Sequence, residues 1–162
     1  MGMQTDVKSY HATSSSLAYG DRTRLKGVVI SPSTSVTFNS CVVDTAGALT
    51  GTYDIPGSTT CTITIANHGL SNGDVVGLNF TSGTGVDDSY TVSNVTTNTF
   101  TVTTASLTTS GNVTLYPNVL VELDCSSGTS FYTLIPGEGV LATGGLFCLL
   151  PTTAVTMTIF YG

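Results

Sequence analysis

Tryptophan is absent from the 162 residues, and cations are nearly so: Lys8, Arg22, Arg24 and Lys26 are the only Lys or Arg. Charged residues make up 9% of the chain, against about a quarter of an average domain. Each shortage excludes something. Four cations, with Asp6 and Asp21 among them, are too few to neutralise a run of phosphates, so no nucleic-acid partner is expected. Without Trp, the usual platform for stacking a sugar is missing. The longest apolar run, at 139–150, is too short to span a bilayer. The start carries no charged-then-apolar leader, and Asp6 stands where a myristoylation signal needs Ser or Thr. No membrane partner is therefore expected. Cys41, Cys61, Cys125 and Cys148 have no C-x-x-C spacing and lie in apolar or β-branched surroundings. They read as small buried thiols, a Cys41–Cys125 bridge staying open as an alternative. Zinc would want paired ligands, and none exist. No metal or other cofactor is expected.

Plentiful instead are Thr, Ser, Asn and Gly, beside a hydrophobic fraction of 40% and a net charge of −6. The acids run along the whole chain while all four cations lie before residue 27. A surface with so little charge associates readily with copies of itself or with other proteins. Runs rich in Val, Thr, Ile, Phe and Tyr, many alternating with period two, predict strands at 25–30, 35–43, 60–65, 74–80, 89–95, 98–104, 118–124, 130–135, 145–150 and 154–161. No segment has a helical period. The fold class expected is all-β: a β-sandwich or barrel, jelly-roll-like, with a second small β module inserted in a loop. The turn-rich stretches 45–60 and 108–118 read as dividers. They give a polar N-terminal arm at 1–20, a base domain from 21–50 and 113–162, and an inserted module at 51–112. The arm lacks a core pattern and is expected to be held by a neighbouring subunit. The module is expected to be removable by joining Thr50 to Asn118.

Within the module, "NHGLSNGDVV" at 67–76 places a histidine six residues before an aspartate. Gly69 and Gly73 suit positive φ in a tight connection. Leu70 can plug the space between sheets, Asp74 can accept a backbone hydrogen bond at the start of the next strand, and His68 can donate to a loop carbonyl. No nucleophile or ligand set accompanies them, so the stretch reads as a structural turn. His68, Gly69, Leu70, Gly73 and Asp74, with Tyr90, Val92, Val95, Phe100, Thr101 and Val102 of the hairpin that follows, resemble a small β module. That module is common in structural proteins of tailed bacteriophages and similar to the first catalytic-cysteine half-domain of ubiquitin-activating enzymes. The resemblance implies architecture and no catalysis.

The outer unit has an Arg-containing first strand at 22–30, a Pro-Gly turn at 136–139, a "GVL…GL" strand pair at 139–146 and a closing strand ending in "FYG" at 154–162. This pattern resembles small virion proteins of tailed phages. The resemblance implies a capsid decoration, or cement, protein made in the bacterial cytoplasm and seated on the capsid exterior. Its partners would be the major capsid protein and copies of itself, arranged as a homotrimer. Lys8, Arg22, Arg24 and Lys26 are the candidate docking residues for an acidic coat surface. A tail, neck or fibre component is the alternative. An enzyme is not expected: the only paired carboxylates are Glu122/Asp124 and Asp87/Asp88, and retaining glycoside hydrolysis needs two carboxyls about 5 Å apart across a cleft.

Overall fold

The computed structural model describes residues 7–162, and among them every regular element is a strand. The all-β expectation is borne out. Two antiparallel sheets face each other. One has the order β1 (Lys8–Ala12), β13 (Val155–Tyr161), β3 (Thr23–Pro32), β10 (Phe131–Leu134), with β11 (Val140–Ala142) also pairing with β3. The other has the order β2 (Ser16–Tyr19), β12 (Leu146–Leu149), β4 (Asn39–Asp44), β9 (Asn118–Asp124). Period-two alternation decides what each strand buries. Val155, Met157, Ile159 and Tyr161 turn inward while Thr156, Thr158 and Phe160 stay half-exposed. Leu25, Val28 and Ile30 of the same sheet meet Val42, Leu146 and Cys148 of the opposite one in a single core.

The segment 8–19, expected as an arm held by another subunit, is instead held by its own chain. β1 pairs along β13 from Lys8↔Tyr161 to Ala12↔Met157, and β2 pairs with β12. Ser15 between them donates its hydroxyl to Leu150 O (3.2 Å) and accepts from Leu150 N (3.0 Å). Both strands are edges, so one face and one side stay wet. A polar sequence with Tyr10 half-buried and Ala12 buried suffices there. Residues 1–6 of the expected arm lie outside the described residues.

Between β4 and β9 the chain builds a third sheet, ordered β5 (Leu49–Thr64), β8 (Thr99–Tyr116), β6 (Val75–Phe80), β7 (Asp88–Thr91). The stretches expected to be turn-rich dividers are here the long antiparallel ribbon β5·β8, paired from Leu49↔Leu115 to Thr64↔Thr99. Register shifts at Pro56/Ser58 and Ser58/Thr60 bend it, as a strand proline and unpaired residues do. The ribbon then folds over itself: a side chain at Gly51 would run into the backbone of Thr64. The fold encloses Tyr53, Ile55, Ile63, Phe100, Val113 and Leu115. The pairing extends past the expected boundaries of 51 and 112 and carries the third sheet to residues 49 and 116.

This sheet lies against the outer face of β4 and β12. Cys41, Val43 and Leu149 form a buried cluster with Tyr116, whose ring stacks on Phe147 at a centroid distance of 5.0 Å. Gly77 sits so close that a β-carbon there would stand 2.7 Å from both Val43 and Leu149. The joint corrects the expectation of a removable module. Joining Thr50 to Asn118 would uncover Cys41, Val43 and Leu149, each fully buried.

Candidate functional site

The folding of β1 and β3 into one sheet gathers cations that are far apart in sequence. Tyr161 pairs with Lys8 on one side and with Leu25 on the other. This puts Lys8 near Arg24 at the end of the sandwich, beside Arg22 in the β2–β3 turn. Lys8, Arg22 and Arg24 line a cavity of about 330 Å³ with Tyr19, Thr23, Leu141, Tyr161 and Gly162. Tyr19 and Tyr161, one from each sheet, pack with tilted rings 5.2 Å apart. The Lys8 ammonium stands 5.6 Å from the centre of the Tyr19 ring, within cation–π range. Arg24 donates from Nη1 to Gly139 O (3.3 Å), and the Gly162 N–H donates to Arg24 O (3.1 Å). Lys26 is not part of this cavity; its ammonium donates to Glu138 O (2.9 Å). The structure therefore brings three of the four expected docking residues together and sets the fourth aside. The tyrosine walls were not legible in the sequence, because both depend on pairings that close the two sheets.

The turn at 67–76 adopts the glycine geometry expected of it, with φ of 70° at Gly69 and 94° at Gly73. Leu70 packs half-buried against the core of the third sheet. Asp74 accepts from Ser71 N (2.8 Å), which lies in the turn before the strand and not within it. His68 reverses the expected role: its Nδ1 accepts from Leu70 N (3.1 Å). Nε2 is buried without a partner among the described residues, and the ring stands edge-on to Phe100 at 5.1 Å. A loop carbonyl is not its partner, because the turn curls the backbone N–H of Leu70 back onto the ring. His68→Ala would remove that hydrogen bond and the aromatic contact together. The expected loss is about 2 kcal/mol of stability, measured by denaturant unfolding. Loss of assembly with the fold and stability intact would give the residue a functional role instead.

The carboxylates separate by environment. Asp88 and Glu122 flank Asn39, whose backbone N–H donates to Asp88 Oδ2 (3.3 Å) and whose side-chain amide donates to Glu122 Oε1 (2.7 Å). Burial pushes the Asp88 carboxyl up to about 7, against the hydrogen bonds from Ser89 and Asn39. Both its oxygens accept backbone N–H groups, the second from Ser89 at 2.7 Å. Asp124 is exposed and accepts from Ser126 N (2.7 Å). Burial likewise raises Asp87, which accepts from Phe80 N (2.7 Å).

The thiols are all free and buried. Cys41 belongs to the cluster under the third sheet and Cys125, just past the end of β9, to the sandwich core. Burial pushes Cys61 and Cys148 up to about 12 and raises Cys41 and Cys125. At neutral pH they are protonated and unreactive. No group of three or more His, Cys, Asp or Glu that could hold a metal ion occurs among the described residues. Comparison with family models, curated proteins and solved structures finds no match to this chain.

Proposed function

We propose that this chain is a structural virion protein that decorates and braces a phage capsid by bridging coat subunits. The observation that carries the reading is the gathering of Lys8, Arg22 and Arg24 at one end of the sandwich, on a molecule whose net charge is −6. Such a charge pole orients the protein on an acidic partner and leaves the opposite parts neutral or repelled. The resemblance of the outer unit to small phage virion proteins supports the same reading. A second feature supports self-association. The edge strand β10 presents Tyr132 and Leu134, 72% and 71% exposed, opposite Val29 and Gly27 of β3. Exposed apolar side chains on an uncharged strand edge need a cover. In this reading a second and third copy provide it, and three weak contacts with the coat then hold through effective concentration.

Purified chain is expected to sediment as a trimer and to co-sediment with capsids from which it has been stripped. Tyr132→Ser with Leu134→Ser should return the monomer. Arg22→Glu with Arg24→Glu should weaken attachment more at low salt than at high salt, since screening already removes the electrostatic part. A monomer at micromolar concentration that leaves capsids untouched would reject both trimer and decoration and favour the tail or neck alternative.

A further inference from the structure

We infer that the cavity lined by Lys8, Arg22 and Arg24 beside the Tyr19–Tyr161 pair is a carboxylate-binding pocket, and that its ligand is an aspartate or glutamate side chain on a short acidic peptide segment. As the coat's contribution to docking, this rests on the decoration reading; as a property of the pocket, it stands without it.

The lining residues supply three cations and no acidic side chain. Even with a terminal carboxylate at Gly162, two net positive charges remain. The two guanidinium groups present planar donor forks that match a carboxylate in shape as well as charge, which a pair of ammonium groups would not. One fork is also partly pre-set. Arg24 is anchored through Nη1 to Gly139 O, which leaves its other N–H groups to donate elsewhere. Lys8 is held over Tyr19, so less side-chain freedom is lost when a ligand arrives. The tilted tyrosine pair supplies an apolar wall for the methylenes of the incoming side chain.

Size and charge select a short segment over a polyanion. A volume of about 330 Å³ lies at the small end of ligand sites. The chain beyond the pocket carries ten acids and, apart from Lys26, no further cation. A nucleic acid or a sulfated polysaccharide would satisfy the pocket with one group and meet repulsion with the next. A carboxylate on an otherwise neutral segment meets none.

The test titrates the full chain with an acetylated, amidated Gly-Asp-Glu-Asp-Gly peptide, its Asn/Gln counterpart, inorganic phosphate and a heparin tetrasaccharide. Titrations run at about 0.01 M and about 0.15 M salt, with NMR shifts and calorimetry as readouts. Saturable one-to-one binding of the acidic peptide is expected, with shifts centred on Tyr19 and Tyr161 and no binding of the neutral counterpart. Arg22→Gln with Arg24→Gln, and separately Lys8→Gln, should each lower the affinity, the double variant at least about tenfold, which corresponds to about 1.4 kcal/mol. Circular dichroism should show the fold unchanged. Lys26→Gln, outside the pocket, should change it little. Binding of phosphate or heparin without the peptide would overturn the inference, as would equal losses from Lys26→Gln and the pocket variants. Capsid co-sedimentation separates the two claims. Capsids that hold wild type and pocket variants alike leave decoration standing without this pocket. Peptide binding without capsid binding leaves the pocket standing without decoration.

Discussion

Asp44→Ala should lower the stability by about 4 kcal/mol. Asp44 ends β4 with 3% of its surface exposed. Its Oδ1 accepts from Ala46 N (3.0 Å) and Gly144 N (2.9 Å), and its Oδ2 from Thr143 N (2.7 Å) and the Thr143 hydroxyl (2.9 Å). One carboxylate thus ties the end of β4 to the β11–β12 turn, where the chain departs for the third sheet. Alanine leaves three backbone donors in a part-buried site without acceptors, each costing about 1–3 kcal/mol, less where water re-enters. Burial works to raise this carboxyl, but the hydrogen bonds from Ala46, Thr143 and Gly144 outweigh it and hold the group below its ordinary 3.8. A depressed carboxyl contributes stability in full above about pH 3.8, and the contribution is lost as pH falls through the folded value. Asp44→Asn, which keeps one acceptor oxygen, should cost about half as much. Thermal unfolding checks both, with a fall in Tm on the order of 10 °C for alanine.

Asp88 has the opposite linkage. Burial raises its folded value to about 7 from 3.8, so the folded state binds the proton more tightly than the unfolded chain does. Its contribution is most favourable below about pH 3.8 and declines as pH rises to about 7, by on the order of 4 kcal/mol. Asp87, also raised by burial, adds a decline of the same sign. The Asp44 and Asp124 carboxyls, held low, act only below this window. Stability measured by urea unfolding should therefore fall between about pH 4 and pH 7. Asp88→Asn resembles the protonated acid: it should flatten most of that decline, leaving stability near wild type at the acid end and raising it at pH 8. An Asn variant with the wild-type slope would place the titration elsewhere.

How legible the molecule was depended on whether the determining contacts are local. Ten strands could be read because alternation is a local signal, and β13 is the clearest case, with four inward residues in strict order. The outer half of the ribbon β5·β8, residues 49–59 and 105–116, was hidden by its Gly, Pro, Ser and Thr content, which signals turns when read locally; pairing across some fifty residues or more overrides it. β1 and β2 were hidden because edge strands bury so little. Asp44 gave no signal at all, since three of its four donors lie about a hundred residues away. The cations were legible as a group at the N-terminal end. Their convergence was not, because it needs β1 to pair with β13, the last strand in sequence.

The proposal that the protein sits on a phage capsid exterior is checked by gold-labelled antibody on intact purified particles that contain the chain. Label is expected over the whole shell, depleted after stripping at high salt. Label confined to the tail or neck, or no label on any particle, would contradict it.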